Sequence, residues 1–364
     1  MKGTKGIHPA NSTIFSTGWA NQMRGIVFRG DCKVELVEVP DPTPGPGEVV
    51  IDVKASGMCG SDLHSYRRAH NPESPTVIGG HEPCGVVAAV GPGVTSPHAK
   101  IGTRVMVHHY RGCAGCEDCR SGWPQMCRTV PVTVYGTDEH GGHAPYMKVP
   151  ADTLVPLDER LSFAAGAAIS CGTGTAWGAF ERMGITGRDT IAVFGQGPVG
   201  LSATLLAKAQ GAQVIALDID ESRRSKAKEF GADYVVDPRE SSVPDIIRDL
   251  TGGRGASMAL ETAGAAKAGE DALNCVRPWG TVCLVGIGSD IGFSVAKMLR
   301  RQLRIMTSWT MSIQAQQTCA QFVVDRGIDL DALFTNQWTL EDAKMAYESF
   351  NRQSGGKGVF VMGQ

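Results

Sequence analysis

Thr190-Ile191-Ala192-Val193-Phe194-Gly195-Gln196-Gly197-Pro198-Val199-Gly200 is a short apolar run that breaks into a glycine-rich turn and then into helix-forming residues. A GxGxxG pattern is weak alone, but between a strand and a helix it meets the requirement of a dinucleotide-binding turn. Gly195 permits the tight turn, Gly197 lets the backbone approach a pyrophosphate, and Gly200 allows helix and strand to pack closely. Pro198 and Val199 lead into the helix, whose N-terminus favours the anion. Asp218 ends the next apolar run, close to the ~20-residue offset at which an acid binds the adenosine ribose. Arg223 and Arg224 could pair with a 2′-phosphate, yet they fit ordinary solvated helix positions. Asp218 would repel such a phosphate, so the expected cofactor is NAD.

Outward from this turn, strand and helix alternate. Strands are predicted at 190–194, 214–217, 234–236, 258–261, 281–285 and 303–306, with helices at 199–210, 222–230, 243–250 and 267–275. That alternation argues a doubly wound parallel sheet over residues 161–310. Residues 23–160 read differently. Short β-like runs at 25–28, 34–39, 49–53, 86–90 and 104–107 are divided by Pro/Gly clusters such as Pro40–Gly47, the pattern of a mainly β domain. Helices near 314–326 and 340–351 and a last strand at 358–362 are expected to return and complete that first domain as residues 311–364. Residues 1–22 show no period and read as an N-terminal extension.

The chain has 364 residues, 42% hydrophobic and 20% charged, with a formal net charge of -2. These are values of a globular protein without a basic footprint, so neither nucleic acid nor an anionic membrane is an expected partner. Its 11 cysteines are odd in number, with four crowded into Cys113–Cys127. That crowding suits metal binding by reduced thiols and a cytoplasmic location better than a disulfide framework.

Two constellations carry chemistry. Cys113-x2-Cys116-x2-Cys119-x7-Cys127 offers four thiolates on a short loop, enough to close a tetrahedral zinc site. The first three also match ferredoxin spacing, but Cys127 does not stand where an iron–sulfur pattern wants its fourth ligand, and Arg128, not Pro, follows it. The second runs from Cys59-Gly60-Ser61-Asp62-Leu63-His64 to Gly79-Gly80-His81-Glu82. Thiolate, imidazole and carboxylate fall within one supersecondary unit, and a catalytic zinc uses three protein ligands with one position left open.

With Gly80-His81-Glu82-x2-Gly85-x5-Gly91-x2-Val94, the cysteine lobe and the GxGxxG turn with its acid in this order, the chain resembles the zinc-dependent medium-chain alcohol dehydrogenases. The resemblance runs from Met23 to about Phe360. It implies a GroES-like, mainly β catalytic domain beside a Rossmann domain, with two zinc ions and NAD. It also implies an alcohol or ketone substrate, and a homo-oligomer, dimer or tetramer. Cys59 and His81 match two ligands of the catalytic zinc, and Cys171, in Ser170-Cys171-Gly172-Thr173-Gly174-Thr175, matches the third. Glu82 matches an acid beside the metal or a transient ligand, and Asp62 the carboxylate orienting the histidine. Ser61 and His64 match the proton relay, and Thr175 a residue beside the nicotinamide. Gly60 departs from members that carry a basic pyrophosphate contact there.

Val107-His108-His109-Tyr110-Arg111 resembles a segment lining the family's substrate pocket. His109, with Tyr66 and His70, suggests a polar pocket and hence a polyol or other polar secondary alcohol. Two rival readings are a non-enzymatic zinc module built on the cysteine lobe and a zinc-free quinone reductase on the same fold. Zinc per chain separates them: two for the dehydrogenase, one for the module and none for the reductase.

Overall fold

A computed structural model describes residues 22–288, 290–352 and 356–363. The extension read at 1–22 lies outside the described residues except for Gln22. Strands Tyr234–Val236, Gln213–Leu217, Thr190–Phe194, Ala256–Glu261, Val276–Leu284 and Arg304–Thr307 form, in that spatial order, a parallel sheet. Counted along the chain, this is the doubly wound order 3-2-1-4-5-6. The strand order reverses between Thr190–Phe194 and Ala256–Glu261, where ligands of such sheets bind. Interior strands are buried on both faces, which is why Ile191–Phe194 and Val214–Leu217 read as unbroken apolar runs.

The other large sheet is mixed. Its path is Phe334–Trp338, Lys357–Val361, Glu48–Gly57, Glu82–Val90, Arg104–Val107 and Leu154–Pro156, with Tyr146–Pro150 also pairing to Glu48–Gly57. The chain therefore returns to its first half: Val359 stands opposite Gly57, and Phe360 opposite Ser56. A hairpin, Gln22–Gly30 with Lys33–Pro40, lies beside this sheet.

One hydrophobic cluster joins the two sheets. It runs from Ala55, Cys84 and Met106 to Ile191, Val193 and Leu260. Helices Phe163–Ile169, Gly172–Met183 and Ile313–Arg326 fill the space between. The first two are absent from the sequence-based reading because Gly166, Gly172, Gly174 and Gly178 disguise them. Two of those glycines are required by packing: a Cβ at Gly174 would lie 2.4 Å from the Ile169 carbonyl oxygen, and one at Gly178 2.6 Å from that of Thr310.

Candidate active site and metal centres

Four segments converge in the cleft beside the glycine-rich turn. Cys59 follows strand Glu48–Gly57, His81 precedes strand Glu82–Val90, His109 follows strand Arg104–Val107, and Cys171 caps helix Gly172–Met183. Ligand atoms of Cys59, His81, Glu82 and Cys171 all lie within 4.8 Å of one another, and all four residues are buried. The two sulfurs are 3.9 Å apart. The neighbouring Cys171 thiol holds Cys59 well below the ordinary thiol range, and the same contact pushes Cys171 well above it. Asp62 Oδ1 accepts from His81 Nδ1 at 3.0 Å, leaving Nε2 toward the sulfurs. Ser61 Oγ lies 3.3 Å from Cys59 Sγ and 3.2 Å from His81 Nε2. His64, one turn further on the same short helix, is exposed.

Glu82 shows that this cluster suits a cation. Its Oε1 is buried with no hydrogen-bond partner among the described residues. Burial pushes its carboxyl up to about 7, against the attraction of Lys357. Its other oxygen is ion-paired with Lys357 Nζ, and both side chains are essentially inaccessible. Lys357 also donates to the Met58 carbonyl at 3.0 Å. Gly57 is required here, since a Cβ would sit 2.0 Å from Glu82 Oε2. Two thiols, an imidazole and an orphaned carboxylate oxygen form a donor set for zinc.

Sequence reasoning missed Lys357, having begun the last strand at Gly358. A lysine beside a strand reads as solvated, and only the flanking Gly356 and Gly358 hinted at tight packing. His143 and Tyr347, both wholly buried behind the site, carried no signal at all.

The cysteine lobe is compact. Cys113, Cys116, Cys119 and Cys127 bring their sulfurs within 4.8 Å of one another. Gly112 is tied to that closeness, because a Cβ there would lie 2.5 Å from Cys119 Sγ. Backbone N–H groups of Val130, Thr129 and Cys113 hold Cys127 down to about 6. Burial pushes Cys119 up to about 12. Donors aimed at sulfur favour the thiolate form that a structural zinc requires.

The dinucleotide turn is built as its glycines require. Gly195 has φ +84°, a Cβ on Gly200 would fall 1.8 Å from the Gly195 carbonyl oxygen, and one on Gly197 would meet nothing within 4 Å. Pro198 and Val199 open helix Pro198–Ala209, and Thr175 lies buried in the first turn of the neighbouring helix. The carboxylate of Asp218 receives the Gln196 N–H at 2.6 Å and the Asp220 N–H at 2.8 Å. It therefore braces the turn as well as ending its strand. Arg223 and Arg224 are not solvated as expected. Arg223 Nη1 lies 4.0 Å from Asp218, and Arg224 pairs with Asp237 at 3.0 Å and donates to the Asp218 carbonyl. The acids at the ends of two adjacent strands draw both guanidinium groups inward.

Of the three residues read as polar pocket wall, one lies at the site. His109 is buried, with its ring 5.0 Å from that of His81 and its Nδ1 3.2 Å from the Ser170 carbonyl. Tyr66 instead packs in the core against Tyr347, and His70 is exposed, bonded to the Arg29 carbonyl. The helix Asp62–Arg67 turns Tyr66 inward, where an aromatic ring gains more from burial than from solvent.

The profile described as zinc-binding dehydrogenase matches residues 198–326, and that described as alcohol dehydrogenase GroES-like domain matches 45–159. An uncharacterized zinc-type alcohol dehydrogenase-like protein of Escherichia coli (strain K12) is 38% identical over 87% of this chain and 92% of its own. A sorbitol dehydrogenase of Halalkalibacterium halodurans is 31% identical, covering 86% of this chain and 91% of that protein. Acetophenone reductase from Geotrichum candidum, solved in complex with NAD, superposes with a TM-score of 0.82 at 28% identity, covering 95% of this chain and 98% of that one. With both sheets and both clusters of candidate metal ligands in place, the chain belongs to the zinc-dependent medium-chain alcohol dehydrogenases, enzymes that use zinc and NAD.

Proposed function

We propose that this dehydrogenase acts on a polar secondary alcohol or polyol, with Cys59, His81 and Cys171 holding the catalytic zinc and Cys113, Cys116, Cys119 and Cys127 a structural one. When bound, zinc supplies Lewis-acid polarisation of the substrate oxygen, and the nicotinamide accepts the hydride. Ser61 Oγ, beside Cys59 and His81, would take the hydroxyl proton, and exposed His64 on the same short helix would hand it to water. Thr175 would flank the nicotinamide. Gly195, Gly197, Pro198, Val199 and Gly200 would hold the pyrophosphate, and Asp218 the ribose, with Arg223 beside it. Glu82 would stand beside the metal, held by Lys357.

His109 carries the substrate reading. Its Nδ1 faces a carbonyl, which can only accept, so the proton sits on Nδ1 and Nε2 is an acceptor. Burial keeps the ring well below the ordinary imidazole range and hence neutral. A buried acceptor favours a substrate bearing a second donor and leaves a simple alcohol with an unpaired polar wall. The sorbitol dehydrogenase relative is named for such a polyol. The test is a panel of alcohols and polyols with NAD⁺. A polyhydroxylated secondary alcohol should exceed its simple counterpart in kcat/KM by at least about tenfold, the worth of one hydrogen bond to a neutral group. Preference for simple primary alcohols would overturn the reading.

Cofactor choice gives a second expectation. Two like charges 4 Å apart repel by roughly 4 kcal/mol at an effective dielectric of 20. Arg223 offsets part of what Asp218 would impose on a 2′-phosphate, so NAD should be preferred over NADP by at least about tenfold in kcat/KM. Asp218→Gly should shrink that ratio, mainly by weakening NAD, because the variant also loses the brace on Gln196. Equal use of both cofactors by the wild type would remove Asp218 from the ribose site.

We read the chain as a cytoplasmic homo-oligomer, dimer or tetramer. Metal-binding thiols favour a reducing compartment. The sheet edge at Arg304–Thr307 is open among the described residues, close in sequence to exposed Phe293, Val295, Leu299 and Trp309. No helix among the described residues is long and apolar enough to cross a membrane.

A further inference from the structure

We propose that Tyr347 is a positioning residue for the catalytic metal, acting through Asp62 on His81. The inference rests on the assignment of Cys59, His81 and Cys171 as the zinc ligands. Asp62 is buried, and its carboxylate accepts three donors. His81 Nδ1 meets Oδ1 at 3.0 Å, while the Cys59 N–H at 2.8 Å and the Tyr347 hydroxyl at 3.3 Å meet Oδ2. The Tyr347 oxygen also lies 2.7 Å from His143 Nε2, and His143 Nδ1 lies 2.8 Å from Ser56 Oγ.

The direction of these bonds follows from chemistry. An ionised carboxylate only accepts, so the single Tyr347 proton points at Asp62. His143 must then donate from Nε2 to the tyrosine oxygen. Burial pushes His143 down to about 4, so near neutral pH it carries one ring proton, and Nδ1 accepts from the Ser56 hydroxyl. Donors thus run one way, from Ser56 through His143 and Tyr347 to Asp62, and His81 presents its Nε2 lone pair to the metal. Ser56, His143 and Tyr347 are wholly buried and come from the central strand, a glycine-rich loop and the helix Ala343–Asn351. Gly80, which precedes the ligand, has to be glycine because a Cβ would lie 2.3 Å from His143 Nδ1. The network therefore fixes both the ring of His81 and the backbone entering it.

Outer partners of metal-bound histidines set ring orientation, and their loss typically costs 10–100-fold in metal affinity or activity. Tyr347→Phe removes one of three donors while keeping the ring that packs on Phe28 at 4.9 Å and Tyr66 at 5.6 Å. In the full-length, zinc-loaded protein, a chelator should then strip the labile zinc about tenfold faster, the lower end of that range. The cysteine-lobe zinc, an internal control in the same sample, should leave at its wild-type rate. Turnover should fall by a similar factor, with KM for NAD unchanged. An unaltered release rate for the labile zinc, or equal acceleration at both sites, would overturn the proposal. Should Tyr347→Phe fail to fold, Ser56→Ala carries the same test at the far end of the network. About twofold faster release of the labile zinc alone supports the proposal, and no change overturns it. Cys171→Ser separates the two levels of inference. If that variant keeps both zinc ions the ligand assignment fails, whereas one remaining zinc with an unaltered Tyr347→Phe refutes only the role of Tyr347.

Discussion

Cys171→Ser is expected to leave one zinc per chain and to lower turnover by at least about 10³-fold, since a Lewis-acid metal supplies several kcal/mol to the transition state. Cys171 approaches Cys59 and Glu82 from a helix cap on the far side of the cleft. Serine places a shorter, neutral hydroxyl where a thiolate has to reach the metal, so the site keeps only Cys59 and His81 on firm geometry. The lobe is independent of this change and should remain filled, which keeps the chain folded and the comparison clean. Metal analysis and turnover on the same preparation decide it. Unchanged zinc and unchanged rate would shift the third ligand elsewhere, with Glu82 the first candidate.

Lys357→Met is expected to destabilise the fold by about 3–5 kcal/mol and to cost activity as well, because removing one partner of a buried ion pair leaves the other charge uncompensated. Glu82 is fully buried, Oε1 already lacks a partner, and Lys357 is the counter-charge on Oε2. Without the ammonium, the carboxylate is free to turn toward Cys59, His81 and Cys171, whose donor atoms lie within 4.8 Å of its own. The check is a double-mutant cycle with Glu82→Gln. The pair of substitutions should regain much of the stability lost by Lys357→Met alone, since no buried charge is then stranded. Urea unfolding of Lys357→Met within about 0.5 kcal/mol of wild type, the usual range for surface changes, would show that the pair is not what holds Glu82.

How far the sequence spoke depended on distance along the chain. Strands Thr190–Phe194 and Tyr234–Val236 and helix Val243–Leu250 were legible to the residue, because each is a short run bounded by its own turn residues. The cysteine lobe was legible for the same reason, with all four cysteines within one loop. Helix Gly172–Met183 was not, since its glycines answer to Met311 and Thr310 on another segment. Strand Phe334–Trp338 was hidden by the exposed polar residues an edge strand carries. In the site, Cys59 and His81 declared themselves by spacing, and Cys171 only through its motif. Lys357 and Tyr347 meet their partners across 299 and 285 residues, and nothing local marks either as buried.

The late strand Lys357–Val361, wedged between Phe334–Trp338 and Glu48–Gly57, also sets a timetable for synthesis. A ribosome adding 5–20 residues per second needs roughly 15–60 s to pass from Met58 to Lys357. For most of that interval the Cys59 and His81 segment has been made while the strand and lysine that complete its surroundings have not. The cysteine lobe, local in sequence, has no such wait. The nascent chain is therefore ready to take up its structural ion well before its catalytic one, and a chain stalled short of the last strand is left with a filled lobe and an unfinished catalytic centre.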